Sequence, residues 1–443
     1  MHPTPIMSVT ASGLLRTPSL CFIAVLSVFL FGCVQYAEFR PGTSSVVAEP
    51  TYKLAFIEFG EQGSYREPGQ LERALSTIKT TEKPLVITFV HGWQNNAGSS
   101  DVDSFKRFLG EIAQSRLITA NNYKVVGTYL AWRGAVTKLP VVKYATFFSR
   151  KTAAERIASN YDCFDAIASI AQAARGHTEG QYTVLIGHSF GGLIVERAVA
   201  RAVDLLGRGE VDPAKGTPAD MVLLLNPASD SILARQMEQQ LNGPTEALQP
   251  YIVSLTSQKD FDTGVWFKVA TTMGSTTKRF DQVRAGDVTA SEREFYTTTP
   301  GHEKTLLNHE TDKITETIPA PADWTALDYN LAHATDEKMF ATEGKQPHTF
   351  DLWHFQQTRA IVGPYWIVAV DKEIIPDHTN IWNSRARAMI AALLRTNIPF
   401  TKRVQPPEVI GATTRVGPTR SQAPAPMLRR KHDFQKLEYH QTN

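Results

Sequence analysis

The sequence predicts an α/β fold with a mainly parallel sheet and helices on both faces, and three observations predict it. Short apolar segments typical of buried strands recur along the chain, and a segment with helical spacing lies between successive ones. The composition, 42% hydrophobic and 20% charged, is that of a globular protein. Because parallel strands need a crossover connection, usually a helix, the alternation favours a parallel sheet covered on both sides.

The strand segments are recognised by continuous apolar runs. The run "PLVITFVHG" is typical: it is apolar throughout and ends in glycine, as expected for a strand buried on both faces. The predicted strands are residues 52–60, 84–92, 123–132, 182–189, 219–227, 251–257 and 365–370.

The helix segments are recognised by apolar residues three and four positions apart and by their first residues. The first has a proline near its start, and the second has an acidic start. The predicted helices are residues 68–80, 101–117, 150–174, 191–206, 232–241 and 380–396.

Residues 52–403 are predicted to form one α/β domain with a large insertion before its last strand. In residues 263–363 the alternation gives way to polar, aromatic and Thr-rich sequence, which we interpret as a cap or lid; a surface embellishment without contact to substrate is the alternative. From Thr401 onward there are eight Lys and Arg against three Asp and Glu. The basic, Pro-rich residues 404–443 are therefore predicted to be a disordered tail.

The N-terminus is predicted to be a targeting segment. Residues 20–31 are a largely apolar run of twelve, short for a bilayer span but suited to a signal peptide. It ends in "LFGC", which resembles the bacterial lipoprotein signal with Cys33 as the lipidated residue, although Phe31 is larger than usual there. We expect a signal in residues 1–33, a spacer in 34–51 and a lipid-anchored protein of the cell envelope; an ordinary secretory signal or an uncleaved anchor are the alternatives.

The net charge and the number and positions of the cysteines exclude other classes of protein. The net charge is only +2 and no basic face with interleaved aromatic residues is seen, so no nucleic-acid partner is expected. Three cysteines cannot form a disulfide framework; Cys21 and Cys33 lie in the N-terminal segment, and Cys163 is predicted to be a buried small hydrophobe.

The stretch "VLIGHSFGGLIVERA" contains the candidate nucleophile. Gly187, Ser189 and Gly191 fit G-x-S-x-G, with an apolar strand before and a helical pattern after. Glycine is needed because the strand and the helix pass closely at such a turn. The turn exposes the serine oxygen at a helix N-terminus. A dinucleotide-binding turn would need G-x-G-x-x-G, which the chain does not supply.

From these motifs the chain resembles the α/β-hydrolase superfamily over roughly residues 52 to 400. The segments "FVHGWQNNAGSSDVDSF", "YLAWRG" and "FFSRKTAAERI" are similar to a group of serine esterases and lipases. The resemblance implies an α/β-hydrolase fold, hydrolysis of carboxylic esters through an acyl-enzyme, and the chain order Ser, acid, His.

The resemblance also implies where the catalytic partners lie. The acid is expected in the turn "SLTSQKDFDTG", where Asp260 is the best match and Asp262 competes with it; Asp230 in "NPASD" is a more distant alternative. The base is expected between the last strand and the C-terminal helix, where His378 lies. Asp260 would orient the imidazole, and His378 would carry the proton from Ser189 to the leaving group.

The oxyanion hole is expected from two backbone amides. One is that of Phe190, the residue after the nucleophile, and the other belongs to the loop after "FVHG". Trp93 is the first candidate for the second donor, and Gln94 is the alternative. The side chain of His91 is expected to be structural, and His188 to pack beside the turn.

No metal or organic cofactor is expected. His302 and His309 in "HEKTLLNHE" are seven residues apart, too far on a helix to share an ion. The expected function is a serine hydrolase of small-molecule or lipid esters. Two alternatives stay open: an amidase, peptidase or acyltransferase with the same triad, or a non-catalytic surface lipoprotein that uses the fold as a binding module.

Overall fold

The computed structural model describes most of the predicted domain. The described residues are 39–40, 44–135, 146–176, 181–210, 217–241, 250–285, 288–334, 340–360 and 363–401. The predicted signal segment 1–33, with Cys33, and the predicted tail 404–443 lie outside them. The spacer 34–51 is described in part and contributes one short strand.

Eleven of the thirteen strands in the described residues form one sheet. The strands are β1 (Val46–Ala48), β2 (Tyr52–Glu58), β3 (Pro84–Val90), β4 (Lys124–Ala131), β5 (Tyr182–His188), β6 (Met221–Leu225), β7 (Ile252–Ser257), β8 (Gln282–Ala285), β9 (Val288–Ser291), β10 (His309–Pro319), β11 (Phe340–Glu343), β12 (Thr349–Gln357) and β13 (Tyr365–Val370). The strand order is β1-β2-β4-β3-β5-β6-β7-β13-β10-β12-β11. From β2 to β10 every neighbouring pair is parallel, whereas β1 at one edge and β12 and β11 at the other pair antiparallel.

Helices cover both faces of this sheet. They are α1 (Pro68–Lys79), α2 (Ser100–Gln114), α3 (Arg116–Ala120), α4 (Phe147–Ser159), α5 (Tyr161–Arg175), α6 (Phe190–Gly207), α7 (Ser231–Gln240), α8 (Phe267–Gly274), α9 (Glu292–Thr297), α10 (Ala326–His333) and α11 (Ser384–Asn397). On one face α2, α3, α10 and α11 pack on the sheet, and on the other α1, α4, α5, α6, α7 and α8 do. No helix among the described residues is long and apolar enough to cross a membrane.

The predicted α/β class with a mostly parallel sheet and helices on both faces is confirmed. Every residue of β3 and of β5 is buried, which explains why these strands read as uninterrupted apolar runs instead of alternating ones. Each of the seven predicted strands corresponds to a strand of the sheet. Cys163 is buried in the described structure without a disulfide.

The predicted helix 150–174 is two helices, α4 and α5. Asn160 separates them with an extended backbone, and its side-chain oxygen accepts the N–H of Asp162 at 2.9 Å. Its amide donates to the carbonyl of Gln62 at 2.9 Å. The break is therefore an N-cap of α5, a role that asparagine fills well and that apolar periodicity cannot reveal.

Part of the segment 263–363, interpreted above as a cap or lid, belongs to the central sheet. Strands β10, β12 and β11 extend the edge of the central sheet beyond β13. The hairpin of β8 and β9 forms a separate sheet. An antiparallel extension of a parallel sheet leaves little trace in the sequence, because such strands are half exposed and polar on one face.

Candidate active site

Ser189 lies in a strained turn between β5 and α6. Its φ of 56° and ψ of −122° place a non-glycine residue at positive φ, which is costly and is found where the surrounding structure enforces it. The turn carries the serine oxygen to the carboxyl end of the parallel strands, at the first turn of α6. The backbone at this point is therefore the one that the G-x-S-x-G pattern predicts.

The glycines around Ser189 are needed for space. A Cβ on Gly191 would lie 2.1 Å from the carbonyl oxygen of Val90, and a Cβ on Gly187 would lie 2.7 Å from the carbonyl oxygen of Gly191. A Cβ on Gly92, in the loop after β3, would lie 2.6 Å from the Cβ of Ser189. Two strand ends and the start of α6 thus meet with room for hydrogen atoms only.

Three side chains form a continuous hydrogen-bonded chain at this edge of the sheet. The Ser189 hydroxyl is 2.8 Å from Nε2 of His378, and Nδ1 of His378 is 2.8 Å from Oδ2 of Asp260. Asp260 follows β7, and His378 lies between β13 and α11. Since an ionised carboxylate can only accept, Nδ1 carries the proton and Nε2 is left to accept from the serine hydroxyl. The arrangement is that of a nucleophile, a base and an orienting acid.

The electrostatics of the pair suit these roles. Burial raises the pKa of Asp260, but the charge of His378 and hydrogen bonds from His378 and Thr263 lower it more, so the net pKa lies below its usual value. Burial lowers the pKa of His378, but the charge and hydrogen bond of Asp260 raise it more, so the net pKa lies above its usual value. Asp260 is therefore ionised at neutral pH, and it stabilises the protonated imidazole that a proton transfer from Ser189 would create.

The competing carboxylates are placed elsewhere. Asp262 lies two residues beyond Asp260 in an irregular helical turn, where it lines the neighbouring cleft. Asp230 precedes α7, and its carboxylate is 3.5 Å from the ammonium of Lys151. Asp260 is thus the candidate acid that hydrogen-bonds to His378.

Two residues that the sequence analysis did not single out as site residues hold the backbone of His378. The amide of Asn226 donates to the carbonyl oxygens of Asp377 and His378 at 3.1 Å each, and its side-chain oxygen accepts the N–H of Ser257 at 2.8 Å. Nε2 of His188 donates to the same carbonyl of His378 at 2.9 Å. The sequence contained one signal for Asn226, which is the polar residue that ends the apolar run "MVLLLN". Its hydrogen-bond partner His378, however, is 152 residues away.

His188 and His91 are neutral structural residues. Burial and the neighbouring His378 charge lower the pKa of His188 to about 3. Burial lowers the pKa of His91 to about 4. Nδ1 of His91 donates to the carbonyl of Gly92 at 2.9 Å, and its Nε2 accepts the N–H of Trp132 at 3.0 Å. His91 therefore ties β4 to the loop after β3 and has no ring nitrogen left for chemistry.

The amides predicted for the oxyanion hole can be compared in the structure. Phe190 is the first residue of α6, where the N–H groups have no acceptor within the helix. The N–H of Gln94 donates to the carbonyl of Gly134 at 2.9 Å. That bond occupies the alternative donor, so Trp93 stays the candidate from the loop after β3.

A cleft of about 410 Å3 lies beside the triad, and His188 and His378 are among the residues that line it. In the part of the chain that the structure describes, no residue from 263–363 lines it. The described part of the insertion therefore contributes nothing to this cleft.

The two histidines considered for a metal site have other neighbours. Nδ1 of His302 lies 3.0 Å from the hydroxyl of Thr299, and Nδ1 of His309 lies 2.8 Å from the side-chain oxygen of Asn308. Within the described ranges, no group of three or more His, Cys, Asp or Glu side chains is arranged to hold an ion.

The helix behind the serine contains a buried carboxyl, that of Glu196. Tyr365 of β13 donates to it at 2.8 Å. Burial raises its pKa from 4.5 to about 7, although the hydrogen bond from Tyr365 opposes the shift. Between these two pH values the folded chain keeps a proton that the unfolded chain has released. The free energy of unfolding should therefore fall as the pH rises through this window.

We expect Glu196→Gln to remove this fall in the free energy of unfolding with rising pH. The wild type should lose roughly 3 kcal/mol of stability between acidic pH and pH 8 that the glutamine variant keeps, because glutamine has no proton to release. Urea denaturation at a series of pH values measures this difference. The same change at Glu72, exposed on α1, serves as the control and should leave the wild-type curve unaltered. Parallel curves for the wild type and Glu196→Gln would contradict the prediction.

No family model matches this chain, and no curated protein matches it either.

Proposed function

We propose that the protein is a serine hydrolase of carboxylic esters with an α/β-hydrolase fold. The observation that carries the proposal is the unbroken contact from Ser189 through His378 to Asp260, with the serine held in a strained turn at the start of α6. A strand-to-helix turn of this kind, followed along the chain by an acid and then a histidine, is the arrangement known from that fold.

The proposed reaction passes through an acyl-enzyme. The Ser189 oxygen attacks the ester carbonyl carbon while its proton moves to Nε2 of His378. The N–H groups of Phe190 and Trp93 stabilise the oxyanion of the tetrahedral intermediate. When the C–O bond to the alcohol breaks, His378 returns the proton to the departing oxygen. Water then attacks the acyl-serine by the same route, releasing the acid and restoring Ser189.

Asp260 supports each of these proton transfers without leaving its ionised state. Its hydrogen bond fixes the imidazole with Nε2 towards the serine, and its charge stabilises the imidazolium in both tetrahedral stages. Asn226 and His188 support the loop that carries the base. A protein that only binds ligands would not need a serine in a strained turn with an aligned base behind it.

Labelling with a fluorophosphonate tests the proposal. The serine oxygen displaces fluoride and forms a stable phosphonate ester, so we expect mass spectrometry of the labelled wild type to place the adduct on Ser189. Ser189→Ala should lose the label. Ser169→Ala, a change of a serine on α5, should retain it.

The same experiment has two outcomes that contradict the proposal. Equal labelling of the wild type and Ser189→Ala would mean that another residue is the nucleophile. A wild type that neither takes up the label nor hydrolyses p-nitrophenyl acetate would favour a binding module with the shape of a hydrolase.

A further inference from the structure

The lining of the cleft beside the triad is polar. Among the described residues no aliphatic side chain contributes to it, and two tryptophans supply its aromatic part. The described lining residues are Trp93, Gln94, Asn95, Ser100, Asp101, Ser104, His188, Asp262, His378, Thr379, Asn380, Trp382 and Asn383. Small-molecule sites are usually lined mainly by apolar groups, so this composition limits what can bind.

Long acyl chains gain little from such a lining. Burying a methylene group contributes about 0.8 kcal/mol when it leaves water for apolar surroundings. Here the chain would instead displace water from amides, hydroxyls and carboxylates that then lose their hydrogen bonds, which costs free energy. A substrate with an acetyl-sized acyl group avoids that loss.

Charge excludes a second group of substrates. The lining contains the carboxylates of Asp101 and Asp262 and, among the described residues, no lysine or arginine. Phosphorylated or carboxylated substrates would meet like charge from these two carboxylates. The described lining therefore favours a neutral or positively charged partner over an anionic one.

Asp101 is held in place as an acceptor. The indole N–H of Trp382 donates to one of its oxygens at 3.1 Å, and the hydroxyl of Tyr129 donates to the other at 3.2 Å. Each carboxylate oxygen has a second lone pair, so Asp101 can accept further donors from the cleft. Its position in the first turn of α2 is set by the helix and by these two bonds.

Other polar side chains of the lining offer both donors and acceptors. Those of Gln94, Asn95 and Ser104 make no hydrogen bond to another described residue. Amides and hydroxyls match groups that also donate and accept, and the hydroxyls of a sugar do both. A quaternary ammonium alcohol would be attracted by the carboxylates, but it would leave the amide N–H groups of the lining without a hydrogen-bond acceptor.

We infer that the cleft recognises a neutral polyhydroxylated alcohol, and that the substrates are short-chain esters, acetyl-sized, of sugar-like hydroxyls. This inference rests on the proposed serine hydrolysis, since it assigns both the alcohol and the acyl group of the same ester. Asp101 accepts a hydrogen bond from a substrate hydroxyl, and the acetyl group lies towards Ser189 and His378.

A panel of matched esters tests the inference on the full chain. The substrates are a mono-acetylated methyl glucoside, acetylcholine, p-nitrophenyl acetate and p-nitrophenyl octanoate, and the measured quantity is kcat/KM for each. The kcat/KM for the sugar acetate should exceed that for acetylcholine, although the sugar is no better a leaving group than choline. The octanoate should be hydrolysed at least tenfold less efficiently than the acetate carrying the same alcohol.

Two variants separate recognition from chemistry. Asp101→Asn should raise KM for the sugar acetate by about tenfold or more, because a charge-assisted hydrogen bond to the hydroxyl is lost, while kcat changes less. Asp103→Asn is the matched control, since Asp103 is exposed on the same helix and does not line the cleft. It should behave as the wild type on all four esters.

The outcomes distinguish the inference from the function beneath it. Fluorophosphonate labelling together with efficiency that rises from acetate to octanoate would overturn the inference and leave the proposed hydrolase intact. A preference for acetylcholine would overturn it in favour of a cationic alcohol. Loss of all four activities together with absent labelling would overturn both, whereas a sugar preference that Asp101→Asn reduces supports the inference.

Discussion

Replacing Asp260 by asparagine is expected to lower kcat for ester hydrolysis by about 10⁴-fold while the protein stays folded. An amide cannot hold the imidazole in the tautomer that leaves Nε2 free to accept from Ser189, and it supplies no charge to stabilise the imidazolium. The side chain is buried and keeps its volume, so circular dichroism and the unfolding midpoint should change little. Steady-state kinetics with p-nitrophenyl acetate measure the effect.

The pH profile of Asp260→Asn gives a second readout that a merely structural role would not move. Because the Asp260 charge raises the pKa of His378, its loss should shift the acidic limb of the profile to lower pH. Asp262→Asn should cost less than tenfold in kcat, since the two ring nitrogens of His378 are already hydrogen-bonded to Asp260 and Ser189. If Asp262→Asn were the more damaging change, the acid would have been assigned to the wrong carboxylate.

Gly191→Ala is expected to destabilise the fold by about 3 kcal/mol or more. The added Cβ would lie 2.1 Å from the carbonyl oxygen of Val90 and 2.6 Å from that of His91, and both are backbone atoms that cannot move as a flexible side chain would. The start of α6 would have to shift away from β3 and carry Ser189 with it. Denaturant titration should show the lower stability, and kcat should fall with it.

Gly207 provides the control for this change at the other end of the same helix. A Cβ there would meet no heavy atom within 4 Å. Gly207→Ala should therefore leave the free energy of unfolding unchanged or raise it by up to about 0.5 kcal/mol, because alanine loses less backbone entropy in a helix. Equal effects of the two substitutions would contradict the close packing described for the turn.

Local patterns in the sequence were sufficient for much of the architecture. A strand buried on both faces must be apolar along its length, and a helix lying on a sheet must repeat its apolar residues every three to four positions. Both patterns are properties of a few consecutive residues. For the same reason the turn at Ser189 could be predicted, since the strand, the glycines and the helix that form it are contiguous.

Other features depend on contacts that no local pattern contains. The break between α4 and α5 at Asn160 is a single capping residue within an uninterrupted helical pattern. Strands β10 to β12 are recognised only through their pairing with β13 and with one another. A half-exposed strand has mixed polarity, which is why residues 263–363 were interpreted as a cap and not as an edge of the sheet.

The sequence by itself determined the α/β class, the strand and helix segments, and a serine at a strand-to-helix turn, because each is set by neighbours along the chain. Only the tertiary structure decided that Asp260 hydrogen-bonds to His378 across 118 residues. The tertiary structure also decided that Asn226 and His188 hold the loop that carries His378, and that the described lining of the cleft is polar. These features arise where the ends of distant strands meet, and the sheet brings those ends together.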